Sequence, residues 1–405
     1  MSDDEFGMPR DLRAPNEKFR ITSRAFEGGS SLGLRYSLVI CLVAFVSRAF
    51  AQDEQLAPRK DAVEELRRTQ RSNNATDRAI RKALHFLAGE QQRDGSFGKD
   101  RGSKFHNRPT ARTALALLAF VSAGHLPAET RHGKTVKKGL DYILSDGRQS
   151  PEGYFGEGDT KGLYTHGITT LLLVELLGMG ATVEQDEKLK IACVKAIEVI
   201  LKAQAIAKDK RARGGWRYMP RHRDSDLSVT VWQVTAVRAA KSVGLEVPER
   251  AIEEAVSYIR RCFHAQEGGF SYQPPLNGIP SPLPSTVAAG VFSLQVCGVY
   301  DSPEIRASSD WLRRNHEDLQ PRKRWFYYGL YYYAQAMHQL GEKQYARARE
   351  IVRSRLLNPE SELQGEDGAF GKGSSSELNA GSIYMTSMAV MALTVEYELL
   401  PIFQR

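Results

Sequence analysis

The chain has 405 residues, 41% of them apolar and 26% charged, with a formal net charge of +8. That length can bury a sizeable core, and the composition is that of an ordinary folded protein rather than a disordered or fibrous one. The positive balance is too mild to indicate a nucleic-acid partner, and none is expected.

Residues 1–51 read as a leader. Arg35 is followed by the apolar run YSLVICLVAFVS and then by Arg48-Ala49-Phe50-Ala51-Gln52. Basic, apolar and small-x-small in that order is the pattern of a secretory signal, with cleavage expected after Ala51. The apolar run of about 12 residues is short beside the roughly 20 that a membrane span needs. Export is therefore expected, with a signal-anchored form at a membrane surface as the alternative. Residues 52–75 are polar and lack an apolar face, so they read as a linker. Cys41 would leave with the leader. Cys193, Cys262 and Cys297 sit inside helical patterns at no paired spacing, so no disulfide framework is expected.

From residue 76 to 405 the chain repeats itself. A glycine-aromatic turn recurs as DGSF at 94–97, EGYF at 152–155, GGW at 214–216, GGF at 268–270 and DGAF at 367–370, with a degenerate member RWFYYG at 324–329. Taking Phe97, Phe155, Trp216, Phe270, Trp325 and Phe370 as anchors, the interval is roughly 45–60 residues, enough for one helical hairpin and its loops. Helix periodicity flanks the turns. Ile80, Ala83, Leu84 and Leu87 precede the first, and Ala111, Ala114, Leu115 and Leu118 follow it. Helices after the turns, such as TALALLAF and TVAAGVFSL, are apolar all round, which suits an inner layer packed on both sides. Strand-like alternation is rare. The expected fold is all-α: a single α/α toroid, or α6/α6 barrel, of six hairpins, each with an outer helix before its turn and an inner helix after it.

The order helix, Gln, glycine-aromatic turn, as in GEQQRDGSFG and HAQEGGFSY, resembles the repeat of squalene and oxidosqualene cyclases and of protein prenyltransferase β-subunits. More narrowly, YTHGITTLLLVELLGMG, GGWRYMP, DLSVTVWQ and TSMAVMALTVEYELLPIFQR resemble secreted planctomycete-type proteins that carry this repeat. The cyclase resemblance implies an acid catalyst in a DxDD motif. Here Asp224-Ser225-Asp226-Leu227 supplies a first and a middle Asp, with Leu in the last place. Asp224 and Asp226 are thus the candidate catalytic carboxylates. Read from the residues alone, Asp226 just before SVTVWQVTAVRAA is a helix cap, and Asp226→Asn would then change stability by less than about 1 kcal/mol. The prenyltransferase resemblance implies zinc held by Asp, Cys and His. No Asp-x-Cys pair is present, and Cys262 and His264, read as helical, would face different ways. No metal and no cofactor are expected.

Other candidates would line a cavity. Trp216, Arg217 and Tyr218 stand in an aromatic, basic loop, and the stretch from Lys202 to Arg223 carries eight Lys and Arg residues against Asp209, a candidate anion site. In WFYYGLYYY, Trp325, Tyr328 and Tyr332 are spaced to share a helix face. His166 lies near the start of an inner helix. Glu175 interrupts its apolar run and, if buried, would bond an adjacent repeat's turn. The expected partner is a small apolar, isoprenoid-like or anionic ligand. An enzyme using Asp226 as acid is the alternative, and a polysaccharide-active α/α barrel the second.

Overall fold

In the computed structural model the described residues are 74–98, 108–128, 130–276 and 281–400. The leader at 1–51 and nearly all of the linker lie outside them. The described residues all belong to one compact unit.

Six helices punctuated by polar caps form the outer layer. They are α1 (Ala75–Glu90), α3 (Arg131–Ile143), α5 (Val183–Ala205), α7 (Glu249–Arg261), α9 (Pro303–Asn315) and α11 (Glu342–Leu356). The inner helices are α2 (Pro109–Ser122), α4 (Gly162–Glu175), α6 (Leu227–Ser242), α8 (Pro284–Val296), α10 (Phe326–Gln339) and α13 (Ser382–Leu393), the last preceded by the short α12 (Ser375–Ala380). Asn74, Thr130, Thr182 and Ser302 start outer helices by accepting a hydrogen bond from the N–H three residues on. The fourth turn adds a minimal hairpin, β1 (Phe263–His264) against β2 (Gly269–Phe270). Helix α7 therefore stops at Arg261, and the helical geometry expected to separate Cys262 from His264 does not apply.

The inner helices pack in cyclic order: α2 on α4, α4 on α6, α6 on α8, α8 on α10, α10 on α13, and α13 back on α2. The expected closed toroid of six hairpins is what forms. Burial follows from this enclosure. Helix α2 is buried at every residue from Thr110 to Ser122, and α4 at every residue but Tyr164.

One device joins neighbouring hairpins. Gln91, Gln149, Gln204 and Gln364 each donate through Nε2 to the carbonyl of the glycine in their own turn, at 2.9–3.1 Å, and to a carbonyl of the next outer helix, at 2.8–3.0 Å. For Gln364 the next outer helix is the first one, where Ala79 accepts. The seam is closed further by Tyr397 donating to Asp77 at 2.8 Å and by Thr394 donating to Ser122 at 2.9 Å. The turn glycine is required because the chain passes against the next helix. At Gly214, φ is +86° and a Cβ would come within 2.0 Å of the Glu254 carbonyl oxygen.

The fifth turn departs from the expected register. Its enclosed aromatic is Phe326, while Trp325 is only half-buried and takes a left-handed φ of 58° ahead of α10. Trp325 is thus off the helix face that Tyr328 and Tyr332 share.

Candidate functional site

The inner helices begin at the end of the ring that carries the turns, and there their burial breaks. Tyr164 near the start of α4, Ser228 of α6, Tyr328 of α10 and Tyr384 of α13 are each half-buried within helices otherwise almost wholly enclosed. They come from four of the six hairpins and line the mouth of the ring. Tyr164 and Ser228 join hydroxyl to hydroxyl, and the rings of Tyr164 and Tyr218 lie 6.1 Å apart. Burial pushes the hydroxyls of Tyr164, Tyr328 and Tyr384 well above their usual range. Asp226 adds to this at Tyr164 and Tyr328, and Glu377 does so at Tyr384. All remain neutral donors at physiological pH.

The loop from Gly214 to Asp226 builds the wall beside them. Trp216 is enclosed in the turn and donates its indole N–H to the Ile200 carbonyl at 2.8 Å, so it packs the hairpin rather than facing the mouth. After it the chain turns outward through Arg217 and Tyr218 and returns, the Asp226 N–H bonding the Trp216 carbonyl at 2.9 Å. Asp226 then caps α6. Its Oδ1 accepts from the Val229 N–H at 2.9 Å and the Ser228 hydroxyl at 2.7 Å.

The carboxylate is more than a cap. Its Oδ2 takes the Arg217 guanidinium at 3.1 Å, and the group is fully buried. The same Arg217 Nη1 donates to the Tyr272 hydroxyl at 3.2 Å, Tyr272 meets the Tyr218 hydroxyl at 2.7 Å, and Arg217 Nε pairs with the exposed Asp224 at 3.2 Å. The guanidinium lies over the Tyr218 ring, 4.3 Å from its centroid. Burial raises the Asp226 pKa, against the pull of the Ser228 hydroxyl, the Val229 N–H, Arg217 and Tyr272. With both oxygens so engaged, Asp226 has no free lone pair aimed at a ligand, and delivering a proton would break the cap or the ion pair.

The structure therefore brings together Arg217, Tyr218, Asp224, Asp226 and Tyr328, and joins to them Tyr164, Tyr272 and Tyr384, which the sequence reading missed. Besides Trp216, three expected positions fall elsewhere. His166 is fully buried, takes the Phe155 N–H on Nδ1 at 3.3 Å and meets the Ala196 carbonyl through Nε2 at 3.0 Å. Burial lowers its pKa to about 4, so it is a neutral structural ring. Tyr332 stands behind Tyr328, their centroids 4.6 Å apart, and packs on Trp232 and Phe292. Trp325 precedes its helix. Glu175 is fully buried, as its place in an apolar run required, and lies within electrostatic reach of Tyr331 on α10, an inner helix of a non-adjacent hairpin.

The basic stretch does not converge. Lys202 pairs with Glu198, Arg211 reaches the Pro274 carbonyl, and Arg217 is held by two aspartates. Lys208 donates to the Ala203 and Gly215 carbonyls, and burial brings its pKa down to about 8. Cys193, Cys262 and Cys297 are free thiols. Among the described residues no group of three or more His, Cys, Asp and Glu side chains could hold a metal ion, and no helix is long and apolar enough to cross a membrane.

Comparison with known proteins bears on the fold. The prenyltransferase alpha-alpha toroid domain matches at residues 61–209, 103–321 and 305–402. No curated protein sequence matches the chain. Among solved structures, an inactive variant of the alpha-1,6-mannanase GH76A of a Salegentibacter species, in complex with alpha-1,6-mannotetrose, is similar in fold. Its TM-score is 0.57 at 11% identity, over 80% of this chain and 99% of that one.

Proposed function

We infer the function from within a family, since the chain belongs to the prenyltransferase alpha-alpha toroid family. The reading supported best is an exported toroid protein that binds a small, neutral ligand at the mouth of the ring, an apolar isoprenoid-like body ending in an oxygen. The observation that carries it is the meeting of Tyr164, Tyr328 and Tyr384 from three inner helices beside the Arg217–Asp226 pair. Tyrosine faces accept an apolar body, and their hydroxyls, with Ser228, accept or donate to a polar end. An anionic ligand is less well served. Arg217 is already neutralised by Asp224 and Asp226, so a diphosphate there would meet two carboxylates for one guanidinium. Acid catalysis by Asp226 is disfavoured by the engagement of both its oxygens.

A second reading, a saccharide ligand, is favoured by the likeness to the mannanase fold and by the stacking of tyrosine rings on sugar faces. One experiment separates the two. The protein is exposed to farnesol and, separately, to alpha-1,6-mannotetraose, and tyrosine fluorescence is titrated in wild type and in Tyr164→Ala and Tyr328→Ala variants. The first reading expects saturable farnesol binding that both variants weaken at least about tenfold, the loss of roughly 1.4 kcal/mol of contact. Binding of the sugar alone would replace it with the second.

A further inference from the structure

Hydrogen bonding at the ring mouth has a direction, and it starts at Asp226. Paired with the Arg217 guanidinium at 3.1 Å, the Asp226 carboxylate can only accept. Its Oδ1 stands 2.7 Å from the Ser228 hydroxyl, a separation at which two oxygens repel unless one supplies a proton, so Ser228 donates. A serine hydroxyl has one proton, and this one is committed. The short contact between Ser228 and Tyr164 is then made with the tyrosine's proton, Tyr164 donating to Ser228 Oγ. The order along the chain is Tyr164 to Ser228 to Asp226, fixed from its inner end.

Tyr164 of α4 is one of the half-buried residues that line the mouth. With its proton turned inward to α6, it has only lone pairs to offer a ligand. Tyr328 of α10, within electrostatic reach of Tyr164, stands in the opposite sense. Its hydroxyl is buried and meets no hydrogen-bond partner among the described residues, so its proton is unclaimed. An acceptor and a donor thus share the mouth, each with an interaction unmade. A ligand hydroxyl satisfies both, giving its proton to Tyr164 and taking that of Tyr328. An aldehyde, ketone or ether oxygen takes the second but sets lone pairs against lone pairs at Tyr164.

We propose that the mouth selects an alcohol over an aldehyde, ketone or ether of the same apolar body, and that the Tyr164–Ser228–Asp226 chain sets this preference. The inference rests on the mouth being the ligand site and adds what that site discriminates. Tyr164 is the residue that reads the ligand's proton, and Ser228 is the positioning residue that keeps Tyr164 an acceptor.

The test measures, by isothermal titration calorimetry, farnesol against two probes whose oxygen only accepts. These are farnesal and farnesyl methyl ether, one smaller and one larger at the oxygen, so that size does not explain a shared loss. Wild type is expected to hold farnesol at least about tenfold more tightly than either, since both probes leave Tyr164 unbonded. Tyr164→Phe, which keeps the ring, is expected to weaken farnesol to the level of the probes and leave the probes unchanged. An equal loss for all three would mean that Tyr164 only packs, and overturns the proposal. Ser228→Ala releases the Tyr164 proton and is expected to narrow the preference by raising affinity for the probes, and an unchanged preference there counts against the chain. Equal wild-type affinity for all three ligands overturns the proposal and leaves the mouth as a site. Failure of all three to bind removes the reading of the mouth, and the proposal with it. Neutron diffraction from a deuterium-exchanged crystal of the ligand-free protein reads the chain directly, with deuterons expected from Tyr164 towards Ser228 and from Ser228 towards Asp226. A deuteron on Asp226 Oδ1, or a Ser228 deuteron directed at Tyr164, overturns the proposal whatever binds.

Discussion

Asp226→Asn separates a helix cap from a cap that also holds a buried ion pair. Asparagine keeps an oxygen for the Val229 N–H and the Ser228 hydroxyl, so the cap itself changes by only a few tenths of a kcal/mol. The loss comes at Oδ2, where an amide nitrogen would confront the Arg217 donor now 3.1 Å from the carboxylate. Breaking a buried pair from one side costs about 3–5 kcal/mol when the partner is stranded. Arg217 is not stranded, because it is 18% exposed and keeps Asp224 at 3.2 Å. About 2 kcal/mol is the result, above the 1 kcal/mol ceiling that a cap alone would set. In a folded body of this size the melting temperature should fall by about 3 °C, since unfolding entropy grows by about 2 cal/mol/K per residue. Asp226→Ala, which also removes the cap, should lose about 1 kcal/mol more. Thermal melts followed by far-ultraviolet circular dichroism read both. The same pair of substitutions in an Arg217→Gln background should cost less than in wild type. If Asp226→Asn melts within 1 °C of wild type, or if Arg217→Gln leaves its cost unchanged, the ion pair contributes nothing and the reasoning fails.

Other expectations follow from the same contacts. Gly214→Ala, which sets a Cβ at 2.0 Å from a carbonyl oxygen on a residue of positive φ, should destabilise by about 2 kcal/mol or more in urea unfolding. Gln364→Ala should cost about 1–2 kcal/mol, close to Gln149→Ala, because the seam is made by the same two hydrogen bonds as any other joint. Deleting residues 341–405 uncovers apolar faces on both sides of the gap and should abolish the cooperative melt, whereas an open stack would lose only its end. For Glu377 the sign is set by a folded pKa of about 7 against 4.5 unfolded. The folded state binds more protons between those values, so stability falls as pH rises through that window, by about 1.4 kcal/mol per unit and about 3 kcal/mol in all. Glu377→Gln should lack that fall, as read from denaturation at pH 5 and pH 8.

The fold was legible because the turn repeats. A glycine that must pass a neighbouring helix carbonyl and a glutamine that bonds the glycine's own carbonyl leave a signature in four of the hairpins, and inner helices enclosed on all sides read as apolar throughout. The fifth turn misled because it lacks the glycine, so Trp325 was taken for the anchor that Phe326 is. The site was half legible. His166 drew notice as a titratable ring, yet it occupies the place of Thr113, Thr230 and Thr386, whose hydroxyls accept the N–H of the turn aromatic in other hairpins. Two residues before it in that register stand Tyr164 and, in the last hairpin, Tyr384, which line the mouth. Aligning the repeats by that polar position would have found both. Tyr272 follows Phe270 as Tyr218 follows Trp216, two residues on, and was legible in the same way. Glu377, whose Oε1 accepts the Tyr327 N–H, was not, since that contact depends on a helix from the preceding hairpin lying against it.

The claim that the ring mouth binds a neutral, oxygen-bearing ligand is tested most directly by a crystal structure of the protein soaked with farnesol. The account predicts the isoprenoid chain between Tyr164, Tyr328 and Tyr384, with its hydroxyl within hydrogen-bond distance of Ser228 or one of those tyrosine hydroxyls and with Asp226 still on Arg217. Density for the alcohol at any other place, or a mouth that holds only water at saturating farnesol, would contradict it.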